Sequence, residues 1–259
     1  MRPILICQAI ILARQSTAEG DLRLQALTQT GRKLQLKVHG LLKSRRRSQR
    51  QYTPGNLLNL HYYPASQGPA SIEQSSVQKD RSSKLSSYQL LKRAGRLLEL
   101  SAAFANEEEQ EPLFLLLDGS LDHLANPEQG TADPTLIEQQ LLDIFFSLRL
   151  LKLQGLLGDL QHCSQCGQAL GSDLQWLAPI AAFHCTDCAA EPRTENGIYL
   201  RLLQQASRSR FQNFVADWQN QNQKQPRFDE WYSMLHQLDQ DLLQCLQHAI
   251  PWPLKACRN

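Results

Sequence analysis

The sequence predicts an α+β chain in which a small N-terminal β-barrel precedes a larger α-helical domain with a four-cysteine insertion. Three observations predict it. Apolar residues alternate with period two through much of the first 80 residues, then recur at helical spacing from residue 84 onward. Two Cys-x2-Cys pairs stand 18 residues apart inside the helical part.

The strands come first. Ile4 to Arg14 is a β-branched apolar run, and Leu22 to Leu27 sets Leu22, Leu24 and Ala26 against Arg23 and Gln25. After Thr30-Gly31, the segment Lys33 to Val38 puts Leu34, Leu36 and Val38 on one face and Lys33 and Lys37 on the other. A polar stretch, Ser44 to Gly55, leads to strand-like runs at Leu57 to Tyr63 and Ser71 to Val77. Five short strands in so little chain fit a small closed barrel, of which the OB-fold is the nucleic-acid-binding example. The expected first domain is 1–80.

Helical spacing follows. Leu85, Tyr88, Leu91, Gly95, Leu98 and Ala102 mark a helix over Lys84 to Ala105, with Ser83 as its cap. Glu107 to Glu111 is an acidic break. Pro112 to Leu124 and Pro134 to Leu153 are further helices with proline in the first turn, the second capped by Asp133. Asn196 to Ala206 and Phe228 to Ala249 complete the set, and the polar tract Gln219 to Gln225 is expected to be a loop or a frayed helix end. The expected second domain is 81–259, with cysteine knuckles at about 160–192.

The chain has 259 residues, 42% hydrophobic and 20% charged, the composition of a globular protein with ample core. Its longest apolar runs fall far below the roughly 20 residues of a membrane span. Its amino terminus lacks a signal-peptide pattern. Seven cysteines, an odd number, argue against a fully paired disulfide framework and for a reducing compartment, hence a cytoplasmic location.

Cys163-x-x-Cys166 and Cys185-x-x-Cys188 have the spacing of a four-thiolate zinc site. Each pair brings two thiolates to one cation, and Gly167 supplies the positive-φ position that such a knuckle uses. Four thiolates leave no open coordination position, so one structural Zn2+ per chain is expected, with no catalytic role. The spacing alone also admits two disulfides or a thioredoxin-like redox pair. His162 and His184 are expected to lie beside the site, and Cys7, Cys245 and Cys257 to be inert thiols.

Charge is unevenly spread. Residues 22–72 hold Arg23, Arg32, Lys33, Lys37, Lys43, Arg45, Arg46, Arg47 and Arg50 and no acid, whereas the first 21 residues balance. Since the whole chain is +2, residues 73–259 carry −7. Such bipolarity points to a polyanionic partner at one end. Lys37, Lys43, Arg45, Arg46, Arg47 and Arg50 are the candidate phosphate contacts, on or beside the loop after the third strand. Tyr52, His61, Tyr62 and Tyr63 are candidates to stack on unpaired bases, with ordinary barrel packing the alternative. A merely solvated charge run is the corresponding alternative for the arginines.

No phosphate-binding glycine loop, nucleophile elbow, zinc-protease helix or dinucleotide fingerprint occurs. Asp118-Gly119-Ser120 is expected to break a helix, and Asp239 and Asp241 to lie on a solvated helical face. The expectation is a protein that is not an enzyme.

Several motifs together resemble the bacterial recombination mediator family RecO. They are Ala9-Ile10-Ile11-Leu12-Ala13-Arg14, Glu19-Gly20-Asp21, Leu27 to Arg32, and Val38-His39-Gly40 with Lys43-Ser44. Leu97-Leu98-Glu99-Leu100, Leu113-Phe114, Leu153-Gln154-Gly155 before the first Cys pair, and Leu254-Lys255 extend the likeness along most of the chain. The family usually carries Gly-Glu-x-Asp at Glu19-Gly20-Asp21 and Lys-Gly at His39-Gly40, so the likeness is looser there. The resemblance implies an OB-fold joined to a helical zinc-containing domain. It also implies binding of single- and double-stranded DNA, strand annealing, and a nucleoid-associated location. Implied partners are the acidic tail of single-strand-binding protein, RecR and the RecA pathway. From the residues alone, a protein-interaction scaffold or an RNA-binding factor with a structural zinc site fits as well.

Overall fold

The computed structural model describes residues 3–41, 48–85, 87–126, 135–192, 195–222 and 228–254. By its internal contacts the chain divides into two compact units, Met1–Asp133 and Pro134–Asn259. The change from strand to helix falls near residue 80, as the composition does, whereas compactness gathers the first two helices with the barrel.

In the first unit, β1 (Leu5–Ser16), β2 (Leu22–Thr28), β3 (Lys33–Val38), β4 (Leu57–Tyr63) and β5 (Ala70–Lys79) form a closed barrel in the order β1-β2-β3-β5-β4. Its ladders are antiparallel except β3 with β5, giving the OB-fold arrangement. Register follows the alternation. Leu24 opposes Leu36 and Ala26 opposes Leu34, so the apolar set points inward with Ala9, Ile11, Leu58, Leu60 and Ile72. A bulge between Ile11 and Ala13 lets β1 serve both β2 and β4.

The β2–β3 turn needs glycine at 31. Its φ is +81°, and a Cβ there would stand 2.0 Å from the backbone of Gln110. Beside it, the Lys33 ammonium donates to the Ala102 carbonyl at 2.5 Å and its N–H to Asn106 at 2.7 Å. A cation thus closes the C-terminal end of α1 (Tyr88–Phe104).

Helix α1 begins later than expected. Asp80 accepts from the N–H of Ser83 and the hydroxyl of Ser82, and holds residues 80–85 in a turn. The cap is therefore Ser87, which accepts from the Leu90 N–H at 3.2 Å. In α2 (Glu111–Ala125), Asp118-Gly119-Ser120 continues the helix instead of breaking it. Asp118 and Asp122, one turn apart, receive Lys79 at 2.8 and 2.7 Å. Both also bind Arg81, which is 2% exposed and donates further to the Gly55 carbonyl.

In the second unit, α3 (Leu136–Leu153) starts in a reciprocal capping box between Thr135 and Glu138, while Asp133 and Pro134 lie outside the described residues. It packs against α4 (Glu195–Arg208), α5 (Phe211–Asn222) and α6 (Phe228–His248). Helix α5 is an addition to the expected set. Its stripe Phe211, Phe214, Val215, Trp218 is short, but Phe145 of α3 meets its first two rings at 5.3 and 6.1 Å. Gln219 therefore belongs to a helix. Asp239 is buried in α6, and burial raises the Asp241 carboxyl, so the expectation of a solvated acidic face there is corrected. Among the described residues, no helix is long and apolar enough to cross a membrane.

Candidate metal centre and nucleic-acid face

The second unit carries an antiparallel hairpin, β6 (Gln175–Leu177) with β7 (Ala182–His184), and the two cysteine pairs flank it. In the first knuckle the Cys163 N–H reaches the Gln168 carbonyl at 2.8 Å, and Gly167, at φ +73°, donates back to Cys163 at 2.9 Å. In the second, the N–H groups of Cys188 and Ala189 both converge on the Cys185 carbonyl. The Ser164 N–H binds the Phe183 carbonyl at 2.9 Å and so fastens one knuckle to the hairpin. Phe183, fully buried against Trp176, supplies the small core beneath them.

The result is four sulfur atoms within 4.8 Å of one another. Cys166 and Cys185 are 3.6 Å apart, beyond disulfide bonding distance and near the roughly 3.8 Å edge of a tetrahedron with about 2.3 Å metal–sulfur bonds. Burial works to raise the Cys163 thiol, but N–H groups of Cys166, Cys185 and Gln165 overcome it and bring it down to about 6. Hydrogen bonding to Cys166, then burial, pushes Cys188 up to about 12. A site that favours one thiolate and crowds the others is completed by a cation. The four residues therefore fit a metal ion with no position left for substrate. His162 is not part of it: its ring binds Asp159 at 2.7 Å. Cys245 is buried with its thiol on the Ala178 carbonyl, and Cys257 lies outside the described residues.

On the barrel, register assembles a row that the sequence did not reveal. Gln15 of β1 opposes Arg23 of β2, Arg23 opposes Lys37 of β3, Lys37 pairs with Ser71 of β5, and Ser71 opposes Tyr63 of β4. Gln15 and Arg23 are exposed, Lys37 and Tyr63 half-buried. Arg23 belongs to the acid-free stretch but is absent from the expected phosphate contacts; its alternation with Leu22 and Leu24 is the available signal. Lys37 is not a bare charge, since its ammonium lies 2.7 Å from Asp21 and 3.8 Å from Glu19. Arg50 is exposed, 3.9 Å from Asp80. Lys43, Arg45, Arg46 and Arg47 lie outside the described residues. Tyr52 and Tyr62 belong to the barrel core, whereas His61 and Tyr63 stand half-buried on the outward face of β4.

Residues 93–225, just over half the chain and including all four cysteines, match the family described as Recombination protein O C terminal. No curated protein matches the chain significantly.

Proposed function

We propose that this chain, which belongs to the RecO family of recombination proteins, acts in recombinational DNA repair as a non-enzymatic DNA-binding and strand-annealing protein. The observation that carries this is the cross-strand pair of cations Arg23 and Lys37 on the β2–β3 side of an OB barrel. That side of such barrels is where unpaired nucleic acid lies, cations following the phosphates and an aromatic ring meeting bases. Arg23, Lys37 and Arg50, with Lys43, Arg45, Arg46 and Arg47, take the phosphates of single- and double-stranded DNA. The location proposed is cytoplasmic, on the nucleoid.

The four cysteines hold one zinc ion, whose role is to lock the two knuckles together. By kinship, the protein meets the acidic tail of single-strand-binding protein and RecR, and assists loading of RecA. Titration of an oligonucleotide at several salt concentrations tests the barrel assignment. Affinity should fall linearly on a log–log scale, and Arg23→Ala should reduce the slope by roughly 0.7 on single strands. Salt-independent binding, or a slope indifferent to the barrel cations, would refute it, and equal affinity for RNA would redirect the assignment.

A further inference from the structure

The second unit is acidic as a whole, yet it contains a pair of facing segments with no acid in them. Residues 144–158, the C-terminal part of α3 and its exit, hold Arg149 and Lys152. Residues 197–216, most of α4 and the start of α5, hold Arg201, Arg208 and Arg210. Neither segment contains aspartate or glutamate, although residues 73–259 together carry −7.

Packing of α3 against α4 and α5 gathers these charges. Arg149 donates to the Ser209 carbonyl, and Lys152, one turn further along α3, donates to the Ser207 carbonyl at 3.3 Å. Both cations therefore reach the end of α4, where Arg208 and Arg210 flank Ser209 and are exposed. Arg201, two turns earlier on α4 and on the same side as Arg208, is exposed as well.

Arg149 is the fixed member of the group. Its guanidinium carbon stands 5.1 Å from the centre of the Phe145 ring, and its Nε is buried with no hydrogen-bond partner. Closure of a helix end by cations explains the two carbonyl contacts, but neutral carbonyls leave the charges uncancelled. Among the described residues, no carboxylate lies within ion-pair distance of any of the five cations. A half-buried cation with an unused donor and no acid beside it is completed by an anion.

We infer that this patch binds the phosphate backbone of a second nucleic-acid strand, separate from the one on the barrel. The inference rests on the strand-annealing reading, since annealing requires one protein to hold two strands and the barrel cations supply a path for one. Arginine forks take phosphate oxygens in pairs, and exposed Gln212 and Asn213 give the patch a polar rim suited to a backbone read without sequence. An acidic peptide is the competing ligand, with Leu153 and Leu156, exposed beyond Lys152, as its anchors.

The test titrates the full chain with labelled oligothymidylate of about eight nucleotides, short enough to occupy one site. The wild type is expected to bind two strands per chain at low salt. Arg208→Ala combined with Arg210→Ala should weaken one binding event at least tenfold and lower its salt slope by roughly 1.4, while leaving the other event unchanged. Arg23→Ala should affect only that other event. One strand per chain in the wild type, or two equally tight strands in R208A/R210A, would overturn the inference. So would an end-blocked Asp-Asp-Leu-Asp-Asp-Leu peptide that binds the wild type more tightly than the oligonucleotide and is lost in R208A/R210A, which assigns the patch to a protein. An ineffective R23A strikes the barrel assignment alone, and an ineffective R208A/R210A strikes this patch alone.

Discussion

The Lys37 ammonium lies 2.7 Å from the Asp21 carboxylate, which also accepts the Gly40 N–H at 2.7 Å. This contact joins the end of the β1–β2 connection to the end of β3, and it neutralises one cation of the basic row. The Gly40 N–H, foremost, and then Lys37 hold the Asp21 carboxyl down at about 2.

A pH dependence follows. Because the folded value lies below the unfolded carboxyl value of about 3.9, the stabilisation is complete above about pH 5 and is lost as pH falls from about 4 toward 2. Asp21→Asn should therefore lower the melting temperature at pH 7, and the gap to wild type should narrow below about pH 4. A gap that stays constant from pH 7 to pH 3 would contradict the assignment.

The same substitution makes a prediction about binding. With Asp21 uncharged, Lys37 keeps only the exposed Glu19 carboxylate at 3.8 Å, so D21N should bind single strands more tightly and with a steeper salt slope, by up to roughly 0.7. Weaker binding by a folded D21N would place Lys37 outside the interface.

Arg81 makes a second structural claim. It is buried with Asp118 and Asp122 around it, and its removal leaves two carboxylates with Lys79 alone. Arg81→Ala should cost about 3–5 kcal/mol in urea unfolding, the range for breaking a buried pair. A loss below about 1 kcal/mol would show that the network is dispensable.

The cysteine quartet predicts one zinc per chain in reduced protein. Cys185→Ser should abolish the bound metal and expose residues near 160–192 to protease, since metal binding in such knuckles is worth about 10–16 kcal/mol. A full metal complement in C185S, or none in the wild type, would refute the site.

What could be read without coordinates was whatever local pattern carries. Alternation at Leu22–Leu27 and Lys33–Val38 placed two strands correctly because a half-buried pleat repeats every two residues. The Cys-x-x-Cys pairs pointed to the four sulfur atoms that the fold brings together, because a knuckle is a local structure. Long-range pairing escaped. Asp21 lies just outside the acid-free stretch, so that stretch looked wholly uncompensated although Lys37 reaches back to it. The row from Gln15 to Tyr63 depends on register among five strands, which no single segment encodes. Ser83 looks as good a cap as Ser87 in the sequence, and only Asp80, holding the preceding turn, separates them. Gly119 suggested a break in α2, but the acids on either side of it are held by Lys79 and Arg81. Helix α5 has four apolar residues in a polar run, and its ring contacts with Phe145 decide the matter.

The most direct test of the central claim is the salt dependence of single-stranded DNA binding by the wild type and by a variant with Arg45, Arg46 and Arg47 all changed to alanine. The account predicts a steep wild-type slope that falls by roughly 2 in the variant, about 0.7 for each phosphate no longer neutralised. Equal affinities and equal slopes for the two proteins would remove this loop from the interface and contradict the account.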